Sequence, residues 1–312
     1  MMKICFIGLG SIGTRHITNL IMILQERKIS YQIDAYRSSK CTLKEELRSI
    51  INQEYYSFEE LPGDYDIIFI TNPTFLHYDA IQKVIHKTTH LFIEKPLFES
   101  ASYDINKLTG KGQNIYYVAC PLRYTPVVQY LKKVLPGERI YSIRAICSSY
   151  LPEWRIGVDY KEVYSAKKEH GGGVSLDLIH EWDYITYLFG IPQTVYQING
   201  KYSELEITSD DISIYIAAYK NMLAELHLDY FGRKNTREIE LYCKDYVIKA
   251  DLRNNTLCYN GVEEKIITLP IEDMYKNEMN YFLDMVLEGE FNHNDINHAF
   301  EVLKLATGKS YC

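Results

Sequence analysis

The sequence predicts an α/β chain: a doubly wound parallel sheet in its first part, then a strand-rich part containing an antiparallel meander. Three observations carry this. Gly8-Leu9-Gly10-Ser11-Ile12-Gly13 sits between an apolar run and a helical pattern. Strand-like and helix-like segments then alternate as far as Cys120-Pro121. Beyond that point, runs of alternating or β-branched character dominate. Such runs read as strands.

The elements follow in order. Lys3-Ile4-Cys5-Phe6-Ile7 is almost continuously apolar, which suits a parallel strand covered on both faces. Ile17, Leu20, Ile21 and Leu24 recur at helical spacing, so Gly13 opens a helix. In that setting Gly8 permits the tight turn, Gly10 lets backbone approach a pyrophosphate and Gly13 allows close helix–strand packing. The helix N-terminus then faces the phosphates. The glycines with Ser11 and Ile12 are therefore expected to cradle a dinucleotide. Further strands are expected at 32–36, 66–71, 91–93 and 115–118, with an amphipathic helix over 78–87 carrying Ile81, Val84 and Ile85 on one side. In the second part, strands are expected at 140–147, 194–199, 212–219, 223–229, 238–243 and 246–250. Those within 212–269 are joined by short polar turns, hence the meander. A glycine-led helix spans 174–189, and two more end the chain at 271–287 and 295–307. The change of pattern divides the chain into residues 1–121 and 122–312.

Composition narrows the function. At 312 residues the chain accommodates two domains with separate cores. A net charge of -7 without any Lys/Arg block argues against nucleic acid or an anionic membrane as partner. Seven scattered cysteines, odd in number and lacking a Cys-x-x-Cys pair, indicate reduced thiols in a cytoplasmic protein and no zinc or other metal site. No apolar run approaches the ~20 residues of a membrane span. Glycines interrupt the run at Ile4 too early for a signal peptide.

Several further motifs occur in a fixed order: Thr71-Asn72-Pro73-Thr74 with His77, Glu94-Lys95-Pro96, and Arg123-Tyr124-x-Pro126. Gly171-Gly172-Gly173 follows, then Asp177, His180, Asp183 and Leu188-Phe189-Gly190. With the Gly-x-Gly-x-x-Gly run, this ordered set resembles the Gfo/Idh/MocA family of NAD(P)-dependent oxidoreductases over nearly the whole chain. The resemblance implies an N-terminal Rossmann domain and a C-terminal α/β domain with a large, mostly antiparallel sheet. It implies sugars, cyclitols or nucleotide sugars as substrates, and a homodimer or homotetramer built through the open face of that sheet. It also implies a cis Lys95–Pro96 bond.

Each candidate residue has a chemical reason. Lys95 and Glu94 end a parallel strand, on the edge where open α/β sheets bind ligands. An ammonium there polarises a substrate hydroxyl or carbonyl. By resemblance, Thr71, Asn72, Pro73 and His77 touch the cofactor, and Glu94 and Lys95 lie beside it. Around 174–189, Leu178, Trp182, Ile185 and Phe189 form an apolar stripe at 100° per residue, with Asp177, His180 and Tyr184 on another. The family spaces its acidic or amide residue four positions before the histidine; here the interval from Asp177 to His180 is three. Counting back from Leu188-Phe189-Gly190 keeps His180 in register, so His180 rather than Glu181 is the expected acid–base group. Its ring is expected on the same cleft as Lys95, oriented by Asp177 or Asp183. Arg123, Tyr124, Trp154, Arg155 and Asp183 are the expected substrate contacts, since arginine and aromatic groups suit phosphate binding and sugar stacking.

Cofactor choice is read from the second strand. It runs out into Tyr36-Arg37-Ser38-Ser39-Lys40, while Asp34 lies too early to grip a ribose 2′-hydroxyl. Arg37 and Ser38 suit a 2′-phosphate, so NADP is expected over NAD. The expected activity is hydride transfer between nicotinamide and a hydroxyl-bearing carbon of a sugar-like substrate. Two alternatives remain at this point: a glycosidase using NAD transiently, which consumes none, and a catalytically silent nucleotide-binding regulatory protein.

Overall fold

The computed structural model describes residues 1–43, 45–108, 114–260 and 265–308. The chain forms two compact units, one of Met1–Phe98, Ser102–Ala119 and Tyr275–Ala299, the other of Glu99–Ala101, Cys120–Met274 and Phe300–Cys312.

In the first unit the order is β1 (Met2–Ile7), α1 (Ser11–Glu26), β2 (Tyr31–Tyr36), α2 (Glu45–Arg48), β3 (Ile51–Tyr55), β4 (Tyr65–Ile70), α3 (His77–Val84), β5 (Thr88–Ile93) and β6 (Tyr116–Val118). The strands form one sheet in the order β3-β2-β1-β4-β5-β6. Every pairing is parallel. The order reverses between β1 and β4, which puts the ligand edge at the loops following those strands. Ile4–Ile7 and Ile67–Ile70 are buried throughout, as a strand covered on both faces requires. β3 lies outside the expected strands. Ile51-Asn52-Gln53-Glu54-Tyr55 is an edge strand with three polar residues at its centre, so it lacks the apolar run that marks its neighbours.

The second unit contains α4 (Pro126–Val134), β7 (Ile140–Tyr150), α5 (Val174–Asp177), α6 (His180–Phe189), β8 (Thr194–Gly200), β9 (Ile212–Ala218), β10 (Leu223–Asp229), β11 (Phe231–Cys243), β12 (Val247–Asp251), β13 (Thr256–Asn260) and β14 (Lys265–Thr268). The strands form one sheet in the order β14-β13-β12-β11-β7-β10-β9-β8. β10 and β7 pair in parallel and the other pairings are antiparallel. The meander is therefore interrupted: β7 enters between β10 and β11. Local turns cannot reveal such an insertion, because β7 lies some eighty residues upstream in the chain.

Two helices close the chain, α7 (Met274–Glu288) and α8 (Ile296–Ala306). α7 packs on the first sheet, where Phe282 meets Phe92 with ring centroids 5.1 Å apart. Tyr117 of β6 donates to Glu278 of α7 at 2.8 Å. Tyr275–Ala299 thus belongs to the first unit, whereas the pattern change at 121 groups it with the second; from Phe300 the chain belongs to the second unit. Among the described residues, Cys5, Cys41, Cys120, Cys147, Cys243 and Cys258 form no disulfide; Cys312 lies outside them. Among the described residues, no helix is long and apolar enough to cross a membrane.

Candidate active site

The glycine cradle lies between β1 and α1. A Cβ on Gly8, whose φ is +100°, would lie 2.9 Å from the Asn72 Cα, and one on Gly13 would lie 2.6 Å from the Gly8 carbonyl oxygen. Both positions are closed to any side chain. A Cβ on Gly10 would meet nothing within 4 Å. The backbone at Gly10 thus faces open space at the N-terminus of α1, where unpaired N–H groups attract an anion. Ser11 and Ile12 supply the first N–H groups of that helix.

The turn after β4 is built onto this cradle. Thr71 donates its hydroxyl to the Gly8 carbonyl at 2.7 Å, and its backbone N–H donates to Ile7 at 3.0 Å. Thr71 is buried by these contacts and holds the glycine loop in place. The Asn72 side-chain oxygen is buried with no hydrogen-bond partner, an acceptor that a bound ribose hydroxyl can satisfy. Pro73 starts a short 3-10 turn leading into α3. His77 is buried, with Nε2 2.9 Å from the Asn72 carbonyl oxygen and Nδ1 3.1 Å from that of Leu97. Burial lowers its pKa against the pull of those carbonyls. His77 therefore joins the turns after β4 and β5. A dinucleotide fits this arrangement of open Gly10 and unpartnered Asn72.

Glu94 and Lys95 leave β5 at the same edge, and the Lys95–Pro96 peptide is cis. Glu94 is buried against His16 of α1, whose Nε2 contacts one carboxylate oxygen. The other oxygen accepts the Lys95 backbone N–H at 3.2 Å. Burial alone would raise the Glu94 carboxyl; the His16 hydrogen bond and neighbouring positive charge outweigh it and hold it below its ordinary value. Glu94 thus ties the cradle helix to the lysine-bearing turn. His16 was absent from the expected site residues, and its signal was modest: a histidine on the mostly apolar inner face of α1, which also buries Asn19.

In the second unit, the expected helix over 174–189 is broken. α5 ends at Asp177 and α6 starts at His180, joined by a turn with Ile179 N–H bonded to the Leu176 carbonyl at 3.3 Å and Glu181 N–H to Leu178 at 3.2 Å. These i→i−3 bonds tighten the backbone, so Asp177 and His180 do not share one regular helical stripe. Asp177 is buried and accepts from Tyr230 at 2.5 Å, with the Tyr164 hydroxyl facing the same carboxylate. Asp183 is buried in a two-pronged pair with Arg123, at 2.9 Å from Nε and 2.7 Å from Nη2. The structure thus joins two expected substrate contacts to each other, and Tyr124 sits half-buried beside them in the 3-10 turn Pro121–Tyr124. His180 is half-buried. Glu181 has no exposure and faces the core, with Arg237 Nε of β11 at 2.8 Å. Burial raises the Glu181 carboxyl despite that pairing, and pushes the nearby Cys147 thiol up to about 12.

Trp154 follows β7, its indole N–H donating to Ser149 at 3.0 Å and its ring edge-on to Tyr230 at 5.2 Å. Arg155 lies 6.0 Å from the Tyr164 ring centroid. With Tyr150, Glu153, Gly232 and Arg233, these two residues line a pocket of about 440 Å³. Tyr230 and Tyr164 connect Trp154, Arg155 and Asp177 into one cluster, which spacing along the chain could not show.

Comparison with known proteins follows the same lines. Residues 2–111 match the Gfo/Idh/MocA family model, described as an oxidoreductase family with an NAD-binding Rossmann fold. The chain is 28% identical over 196 residues to a myo-inositol 2-dehydrogenase of Thermotoga maritima, covering 61% of this chain and 55% of that protein. It is 22% identical over 300 residues to a UDP-N-acetylglucosamine 3-dehydrogenase of Acidithiobacillus ferrooxidans, covering 91% and 88%. The chain spans about half the length of the first curated relatives it matches, 53% and 55%. Among solved structures, a levoglucosan dehydrogenase in complex with NADH and levoglucosan superposes with a TM-score of 0.83 at 15% identity, covering 98% of this chain and 95% of that one. This likeness is one of fold.

Proposed function

Since this chain belongs to the Gfo/Idh/MocA oxidoreductase family, we propose that it oxidises or reduces a hydroxyl-bearing carbon of a sugar, cyclitol or nucleotide sugar. The observation carrying this is the cradle: Gly8 and Gly13 closed to any side chain, Gly10 open at a helix N-terminus, and Lys95 on the same sheet edge. The bound nicotinamide supplies hydride acceptance or donation. Lys95 holds the reacting oxygen and stabilises its partial negative charge. His180 takes the hydroxyl proton in oxidation and returns it in reduction. Asp177, fixed by Tyr230, and Asp183, fixed by Arg123, hold the backbone on either side of His180. Trp154 and Arg155 contact the substrate, and no metal enters the scheme. The test is a screen of polyols, sugars and nucleotide sugars for a change in nicotinamide absorbance with the purified protein. Turnover of substrate without net cofactor change would favour the NAD-dependent glycosidase, and cofactor binding without any turnover a regulatory role.

The cofactor is NADP in preference to NAD. Support comes from Arg37 and the exposed Ser38, which follow the end of β2. Asp34 is buried and its carboxylate is already engaged, accepting from Tyr65 at 2.9 Å. NADPH is expected to bind more tightly than NADH, with Arg37→Ala removing the difference. Fluorescence titration of both decides it; tighter NADH binding that ignores Arg37→Ala sinks the preference.

The protein acts in the cytoplasm as a homodimer or homotetramer. The supporting surface is the outer face of the second sheet. Tyr196 and Ile198 of β8 are 66% and 69% exposed. They lie opposite Ile216 and Ile214 of β9, which are 45% and 39% exposed. An apolar patch on a sheet face is self-complementary under two-fold symmetry. Light scattering is expected to show an oligomer that Ile198→Asp with Ile216→Asp converts to a monomer. A wild-type monomer at micromolar concentration contradicts this.

A further inference from the structure

We propose that Glu54 of β3 is a specificity-determining residue for the adenosine end of the cofactor, competing with a 2′-phosphate for the Arg37 guanidinium. The inference rests on the nicotinamide reading above and extends it to a residue on a different strand. β2 and β3 pair in parallel, with Ala35 opposite Glu54 and Tyr36 opposite Tyr55. The Arg37 N–H donates to the Tyr55 carbonyl at 2.9 Å. Glu54 is thus delivered to the point where β2 runs out into Arg37.

The guanidinium is already engaged. Arg37 Nη1 forms an ion pair with Glu54 Oε2, and Nη2 donates to the Cys41 carbonyl. Tyr56 donates its hydroxyl to the same Glu54 oxygen at 2.9 Å. The Arg37 side chain is only 12% exposed, and Glu54 is 30% exposed. The Arg37 hydrogen bond, with help from Tyr56, outweighs burial and holds the Glu54 carboxyl below its ordinary value, so it is ionised throughout the neutral range. Burial works against the Arg37 charge, and Glu54 more than restores it.

Carboxylate and phosphate are interchangeable partners for a guanidinium, each accepting parallel N–H bonds. A 2′-phosphate must therefore displace Glu54 or lie beside it, and two anions at one site repel. A 2′-hydroxyl meets no such barrier and finds a carboxylate acceptor in place. Lys40, with its ammonium 5.3 Å from the Tyr56 ring centroid, adds positive charge to the same loop. Arg37 and Lys40 draw the phosphate in, and Glu54 limits how far it is preferred. NAD stays usable for that reason.

The experiment compares 2′,5′-ADP with 5′-AMP, which differ only in the 2′-phosphate, by calorimetric titration of the full chain. Glu54→Gln is expected to tighten 2′,5′-ADP on the order of tenfold and to give no tightening of 5′-AMP. Glu54→Ala gives the same direction should the glutamine variant fold poorly, and Arg37→Ala with Glu54→Gln cancels the gain. A response of 2′,5′-ADP below twofold, or equal tightening of both ligands, overturns the assignment while leaving the nicotinamide reading intact. Failure of the wild-type protein to bind either nucleotide overturns both.

Discussion

Replacing Lys95 by alanine is expected to lower kcat by about two or more orders of magnitude while leaving cofactor affinity nearly unchanged. The lysine is the charged residue of a turn anchored from below: Glu94 grips the Lys95 backbone N–H at 3.2 Å and contacts His16 of α1. Removing the side chain leaves that anchor and the glycine cradle in place. In the proposed mechanism, what disappears is an ammonium that stabilises charge developing on the substrate oxygen, an interaction stronger in the transition state than in the ground state. Steady-state kinetics and NADPH titration of the variant separate the outcomes. Weaker cofactor binding with kcat spared would reassign Lys95 to phosphate anchoring, and wild-type turnover would remove it from the mechanism.

His180→Ala is expected to remove most activity together with a limb of the pH–rate profile near neutrality, where histidine changes charge. Glu181 makes the informative contrast. It faces the core against Arg237, so Glu181→Gln should affect stability more than turnover. Breaking a buried pair strands the remaining charge at about 3–5 kcal/mol. Arg237 keeps 23% of its side chain exposed, and water screens part of that; a loss of about 2–3 kcal/mol is expected. Denaturant unfolding and pH–rate profiles of the two variants give a clear pattern. A mild effect of His180→Ala with loss of turnover in folded Glu181→Gln would exchange the two roles.

Much of the first unit was legible because its signals are local. A continuous apolar run followed by three spaced glycines and a helical stripe leaves little choice of backbone, and β1, α1 and β4 lie close to where pattern puts them. β3 was not legible, since an edge strand carries no apolar run. The single helix expected over 174–189 failed at Leu178–Ile179, where i→i−3 bonds replace the regular ladder. Both residues are buried and apolar, so periodicity continues across a break in the hydrogen bonding.

The sequence by itself determined the glycine turn between β1 and α1 and the lysine at the end of β5, both from spacing within or next to one element, where geometry is set by the backbone. The expectation of His180 over Glu181 came instead from the register of the family resemblance. Tertiary structure alone decided what these groups rest on. His16 under Glu94, Tyr230 on Asp177, Arg123 on Asp183, Arg237 on Glu181 and Glu54 on Arg37 are all pairs between different elements. Four of these five contacts join residues more than fifty positions apart, and Glu54 reaches Arg37 across seventeen. A buried polar group must find a partner, but its type says only what chemistry that partner needs. Which residue answers depends on strand order and register, and these are properties of the assembled sheets.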